Sequence, residues 1–149
     1  MVDPDDVGMG RILVGVDGSR AAEAAVQWAL DRVRPGDTVA LCHAWSLPVT
    51  MGFEGPIFSL SEIEAGAKEL VEDMAEGIRV DHDDITIETE VVYGHPGSTL
   101  IEQSAGCDLL VVGSRGYGGF KGLLLGSVST YVVHHATCPV VVVPAPESD

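Results

Sequence analysis

Hydrophobic positions in this chain form two kinds of pattern, continuous runs and helical repeats, and the two alternate. Arg11-Ile-Leu-Val-Gly-Val-Asp17 is a short apolar run ending in Asp17-Gly18-Ser19. A continuous apolar run closed by turn residues reads as a strand buried on both faces. Ser19 stands where a helix N-cap belongs. Ala22, Ala25, Val26, Ala29, Leu30 and Val33 then recur at helical spacing as far as Pro35-Gly36. Thr38 to Trp45 is a second apolar run. Strand, helix and strand in that order make a βαβ unit.

Ser46 to Leu60 holds Pro48, Gly52, Gly55 and Pro56 and reads as a long loop. Ser61-Glu-Ile-Glu64 matches a capping box. Behind it Ile63, Ala67, Leu70, Val71, Met74, Ala75 and Ile78 share one helical face. From Ile85 to Val92 the pattern changes: Ile85, Ile87, Thr89 and Val91 alternate with Thr86, Glu88 and Glu90. Strict alternation leaves one face wet, which suits the edge of a sheet. Gly94-His-Pro96 is a turn, and Pro96 can open a short helix. Asp108 to Gly113 is another buried strand, Ser127 to His135 a helix, and Pro139 to Pro144 the last strand.

Five strands alternating with four helices predict an α/β fold: an open parallel sheet with helices on both faces, three layers in all. Residues 1–149 are expected to form a single domain, with tails at 1–10 and 145–149. In such sheets ligands bind at the carboxyl ends of the strands, where strand order reverses. Val14 to Ser19 and the loop from Gly113 are the segments that qualify.

Composition narrows the function classes. The chain has 149 residues, 46% apolar and 21% charged, which argues against a disordered protein or a disulfide-stapled miniature. No apolar run approaches the roughly 18 residues of a membrane span. Met1 to Gly10 carries acids and no apolar core, so a cytoplasmic protein without a secretory signal is expected. Cys42, Cys107 and Cys138 have no metal-like spacing and read as reduced, partly buried thiols. No metal site built from protein ligands is expected.

The formal net charge is -15, a field that repels nucleic acid. Eleven of the acids lie between Ser61 and Glu90, read as a solvated helix face and an exposed strand. Such a field does not exclude a small anion, because backbone amides in a local pocket can outweigh distant charge.

One segment offers such a pocket. Gly113-Ser-Arg-Gly116-Tyr-Gly-Gly-Phe-Lys-Gly-Leu-Leu-Leu-Gly126-Ser127 leaves a buried strand and enters a helix. Glycines let the backbone approach a ligand without a Cβ in the way. The helix start offers free N–H groups and the positive end of a dipole. Ser127, Ser129 and Thr130 add hydroxyls, and Arg115 and Lys121 add charge. No Walker A sequence occurs, and the first strand turn lacks the dinucleotide fingerprint, which disfavours a dehydrogenase.

Gly113-x2-Gly116-x9-Gly126-Ser127 resembles the ATP-binding signature of the universal stress protein family. The Val-Gly-Val-Asp-Gly-Ser start, the Gly94-x-Pro96 turn and the Cys138-Pro-Val-Val-Val-Val-Pro end are similar to that family too. The resemblance runs from about Arg11 to Pro144. It implies a Rossmann-like adenine-nucleotide-binding fold with sheet order 3-2-1-4-5. It implies that Gly15, Val16 and Asp17 line the adenosine pocket and that Ala44 touches the adenine. Val112, Gly113, Arg115 and Gly116 would cover ribose and phosphates. Gly126, Ser127, Val128 and Ser129 would hold the phosphates. It further implies ATP as ligand, with Mg²⁺ carried on the nucleotide, and a homodimer through Val140 to Val143. No membrane partner is implied.

Each residue also has a plainer reading. Asp17 could cap the first helix and Ser127 the last, and Arg115 could be a solvated loop residue. His43 reads as a satisfied core histidine, and His134 and His135 as cations at a helix end. The leading function is a regulatory nucleotide-binding module with slow or no hydrolysis. A weak ATPase or phosphoryl-transfer enzyme and a nucleotide-free interaction protein are the alternatives; a flavodoxin-like carrier is more remote. Gly113→Ala or Gly126→Ala is expected to weaken nucleotide binding with little loss of fold.

Overall fold

The structure is a computed structural model that describes residues 8–46, 59–115 and 125–146. The elements run β1 (Arg11–Gly15), α1 (Arg20–Leu30), β2 (Thr38–Trp45), α2 (Leu60–Asp81), β3 (Thr86–Tyr93), α3 (Pro96–Gln103), β4 (Leu109–Gly113), α4 (Ser127–His135) and β5 (Val140–Val143). The strands form one sheet in the order β3-β2-β1-β4-β5. Every pairing is parallel. This is the order that the family resemblance implied, and β3 lies at an edge, as its alternating sequence predicted.

Two apolar layers hold the helices to the sheet. On one face Ile12, Val14, Val39, Leu41 and Val111 pack against Ala25, Val26 and Ala29 of α1 and Val71, Ala75 and Ile78 of α2. On the other, Leu13, Ala40, Cys42, Leu110 and Val112 pack against Leu100 of α3 and Val132 of α4. The central strands contribute side chains to both layers, which is why their sequences read as unbroken apolar runs. Each fully buried Val or Leu contributes about 1.5–3 kcal/mol relative to exposure.

The caps refine two helix starts. Ser19 caps α1, its hydroxyl accepting the Ala22 N–H. The cap of α2 is Ser59, whose hydroxyl accepts the Glu62 N–H, and not Ser61. Ser59-x-x-Glu62 and Ser61-x-x-Glu64 are equivalent as sequence patterns, so the pattern could not separate them. The start of α4 is capped by Gly126, with Ser127 as its first helical residue. Most of the long loop expected after Trp45, and Gly116 and Lys121 of the glycine loop, lie outside the described residues.

The acids of β3 are not simply solvated. Arg11 reaches across β2 and donates from Nη1 to Glu88 at 2.6 Å and from Nη2 to Glu90 at 3.1 Å. The register explains the reach: Arg11 pairs with Thr38 and Glu88 with Ala40, so the intervening strand puts only small side chains in the way. On α2 the expectation holds better, with Lys68 paired to Glu64 and Arg79 to Glu72 among largely exposed side chains. Cys42, Cys107 and Cys138 are free thiols, the first two buried. No helix among the described residues is long and apolar enough to cross a membrane.

Candidate functional site

The sheet opens at the carboxyl ends of β1 and β4, where the chain leaves in opposite directions for α1 and α4. Here the order of strands reverses, since β2 lies on one side of β1 and β4 on the other. A pocket occupies this point. It is lined by Gly15, Val16 and Asp17 after β1, Ala44 on β2, Val112, Gly113 and Arg115 around the end of β4, and Val128 and Ser129 of α4. Nine of the twelve residues singled out from sequence therefore share one cavity. Gly126 and Ser127 stand at the start of α4 and line an adjoining groove with Thr130, Tyr131, His134 and His135. Gly116 is outside the described residues.

The β1 side is held by backbone bonds. The Val16 N–H donates to the Cys42 carbonyl at 2.9 Å. The Val16 carbonyl in turn lies 2.8 Å from His43 Nδ1, which must carry the proton to donate there. His43 is thus a satisfied histidine that fixes the exit of β1. Asp17 accepts the Ser19 N–H at 2.9 Å. Gly18, at φ +84°, supplies the left-handed turn between them. Asp17 shapes the entry to α1 from an exposed position, while Ser19 is the actual cap.

The β4 side is held by its neighbours. The Ser114 N–H continues the ladder to the Val143 carbonyl at 2.8 Å. The Ser114 carbonyl accepts the Gly126 N–H at 2.6 Å and the Ser129 hydroxyl at 2.8 Å. Both ends of the glycine loop are therefore tied to one carbonyl. Ser129 is buried, and its hydroxyl also lies 3.1 Å from the Gly126 carbonyl. Its proton serves these backbone oxygens, so toward any further partner the hydroxyl can only accept. Ser127 is exposed at the helix start. The first N–H groups of α4 have no partner within the helix by construction.

The pocket also uses residues that sequence reasoning did not select: Ser19, Ala22, Cys42, Pro96 and Leu100. Cys42 could have been found, because it lies two residues before Ala44 and so shares its face. Pro96 and Leu100 enter through the packing of α3, which no local pattern reports. Burial and the nearby Glu90 carboxylate push the Cys42 thiol up to about 12, so it is a neutral apolar wall. His135 Nδ1 lies 2.8 Å from the Tyr131 carbonyl and its ring stacks on Tyr131 with centroids 4.2 Å apart. Among the described residues no group of three or more His, Cys, Asp or Glu side chains could hold a metal ion.

A Rossmann-like crevice of this kind, with the model for "Universal stress protein family" matching residues 9–144, decides the family. The chain belongs to the universal stress protein family. It is 40% identical over 132 residues to universal stress protein Rv2005c of Mycobacterium tuberculosis, covering 88% of this chain and 44% of that protein. The chain thus spans less than half the length of the curated relatives it matches. Among solved structures it is similar to the universal stress protein UspA from Lactobacillus plantarum, with TM-score 0.74, 26% identity, and 92% and 99% of the two chains covered. A universal stress protein in complex with cAMP matches at TM-score 0.67 and 23% identity, covering 94% of this chain and 100% of the other. A family member from Arabidopsis thaliana with AMP bound matches at TM-score 0.63 and 19% identity, covering 93% of each.

Proposed function

We propose that this universal stress protein domain binds an adenine nucleotide, ATP foremost, and acts as a regulatory module with slow or no hydrolysis. The observation that carries this is the convergence of Gly15–Asp17, Ala44, Val112–Gly113, Arg115 and Val128–Ser129 on one pocket. The apolar wall of Ala44, Val112, Leu100 and Cys42 suits a flat base. Arg115 and the start of α4 suit phosphates, since a helix N-terminus presents N–H donors and a positive dipole end. The family members with cAMP and with AMP bound support an adenine ligand.

Among the described residues Asp17 and Arg115 are the charged side chains that line the pocket, and Asp17 already accepts the Ser19 N–H. That favours binding over turnover. Mg²⁺ would come with the nucleotide phosphates, which often leave the ion few protein ligands. Occupancy would act by stabilising one arrangement of the two loops flanking the crevice. We further propose that a cytoplasmic homodimer forms through β5. Its Val140 to Val143 are apolar and close the sheet at an edge, which otherwise invites unwanted pairing.

The test is to denature the purified protein and identify released small molecules by chromatography and mass spectrometry, then titrate emptied protein with ATP, AMP and cAMP by calorimetry. Near one adenine nucleotide per chain, or saturable binding heat, supports the reading. An empty protein with no binding heat for any of the three overturns it in favour of a nucleotide-free interaction protein.

A further inference from the structure

Two of the three free thiols, Cys107 and Cys138, precede neighbouring strands at the end of the sheet opposite the crevice. Val140 of β5 pairs with Leu110 of β4, and the Leu110 N–H donates to the Pro139 carbonyl at 3.0 Å. Continued two residues back, this register sets Cys138 opposite Asp108, one residue from Cys107. Cys107 lies on the chain entering β4 and Cys138 on the chain entering β5, and both belong to one apolar layer, which brings the two thiols into the same neighbourhood; a disulfide needs their Cα atoms within about 7 Å. The side chains point the same way: Cys107 is buried in the apolar layer beneath α3 and α4, and Cys138 packs against that layer. Cys42 belongs to the same layer but lies on β2, with β1 between it and β4. Two strand spacings, about 9–10 Å, put it beyond bridging distance.

We propose that Cys107 and Cys138 form a redox modification site, a dithiol that a peroxide oxidises to a reversible disulfide. The two thiols differ in the way the chemistry needs. Cys138 is partly exposed and meets the oxidant first. Its thiolate attacks one peroxide oxygen, the O–O bond breaks, and the leaving hydroxide takes up a proton as water, leaving a sulfenic acid. Cys107 is buried, its Sγ 3.7 Å from the Gln103 carbonyl, and is shielded from direct oxidation. Burial pushes its thiol up, while the Arg11 guanidinium beside it pulls the other way. The Cys107 sulfur attacks the Cys138 sulfur, the S–S bond forms, the S–O bond breaks, and the hydroxyl leaves as a second water with the Cys107 proton. Two thiols and one hydrogen peroxide thus give one disulfide and two waters, and a dithiol reductant reverses the change.

The bridge would close residues 108–137 into a loop. That stretch carries β4, Gly113, Arg115 and α4, so on the nucleotide-binding reading the cross-link braces the whole phosphate side of the crevice.

The test uses the full chain, reduced and then treated with hydrogen peroxide, blocked with N-ethylmaleimide and digested with trypsin. Cys107 falls in the peptide Val80–Arg115, Cys138 in Gly122–Asp149 and Cys42 in Val33–Lys68, the Arg34–Pro35 bond resisting trypsin, so each pairing is separable by mass. The expected product is a linked Val80–Arg115 and Gly122–Asp149 pair with Cys42 recovered as a thiol. The link is lost in Cys107→Ser and Cys138→Ser, retained in Cys42→Ser, and removed by dithiothreitol. Oxidised wild type should also melt higher than reduced by roughly 5–10 °C, a shift absent from Cys107→Ser. Cys138 recovered as sulfinic acid or as a Cys138–Cys138 link between chains, with Cys107 still a thiol, overturns the proposal. The linked peptide is read without nucleotide. Its absence leaves the nucleotide reading standing, and its presence beside an empty crevice refutes that reading alone.

Discussion

A Cβ built on Gly113 would lie 2.7 Å from the Ala21 Cβ and 2.8 Å from the Ala21 carbonyl carbon. The end of β4 is pressed against the backbone of α1, and only a hydrogen fits between them. Gly113 is therefore a packing residue as well as a pocket residue, which corrects the expectation that its replacement would spare the fold. Gly113→Ala should destabilise the protein by about 1–3 kcal/mol, because backbone cannot yield as a side chain does. Gly15 differs, since its added Cβ would meet the Leu100 Cδ1 at 2.9 Å, the tip of a flexible side chain that itself lines the pocket. Gly15→Ala should keep most of the stability and narrow the pocket. Urea unfolding of both variants checks the contrast, and equal losses would refute it.

Asp37 ties the chain entering β1 to the turn before β2. Its buried carboxylate accepts N–H bonds from Met9 at 2.9 Å, Gly10 at 3.0 Å and Arg34 at 2.8 Å. Burial alone would raise its pKa, but the three donors outweigh it and hold the group below the ordinary carboxylate value. A depressed folded-state pKa contributes stability above the unfolded value of about 4, and that stability is lost as pH falls through the folded value. Asp37→Ala should cost about 1–3 kcal/mol at neutral pH by stranding donors. The deficit relative to wild type should shrink in acid, as measured by unfolding at pH 7 and below pH about 3.

Cys42, pushed up to about 12 by burial first and by Glu90 second, should resist alkylation in the folded protein at pH about 8, while Cys138 reacts. Iodoacetamide labelling with peptide mass mapping gives the order. Since the folded pKa lies above the unfolded one, the contribution of the buried thiol is complete below about pH 9 and fades as pH rises toward 12. Cys42→Ala should accordingly flatten the alkaline limb of the stability curve.

Ser129 joins the end of β4 to the start of α4 through the Ser114 carbonyl. Ser129→Ala should cost about 1 kcal/mol, the worth of a typical buried hydrogen bond. It should also weaken nucleotide binding by loosening the loop ends. Thermal melting with and without ATP separates the two effects.

Arg115 lines the pocket at the mouth of the glycine loop. On the proposed function, Arg115→Ala should weaken ATP binding about tenfold or more and leave adenosine binding nearly unchanged, since charge-assisted bonds are worth about 1.5–3 kcal/mol. Equal loss for both ligands would move the phosphates elsewhere.

The strands and the edge position of β3 were legible because each rests on a local rule. Central strands are apolar on both faces, and Ile85 to Val92 alternates. The exact cap of α2 was not legible, because Ser59 and Ser61 are interchangeable as patterns and packing chooses between them. The pairing of Glu88 and Glu90 with Arg11 was hidden for another reason: three strands distant in sequence had to be placed side by side before a guanidinium could cross β2.

The sequence by itself determined the element order, the helix starting at Ser127 and the glycine-rich segment whose first residues, Gly113 and Arg115, line the crevice. Period, turn chemistry and backbone freedom are properties of neighbours along the chain. The tertiary structure decided what those residues touch: Ala21 against Gly113, Leu100 and Pro96 as walls, His43 on the Val16 carbonyl, and Cys107 and Cys138 on one apolar layer. These are contacts between elements whose spacing is set by sheet register and helix packing, and no local window of sequence contains that distance.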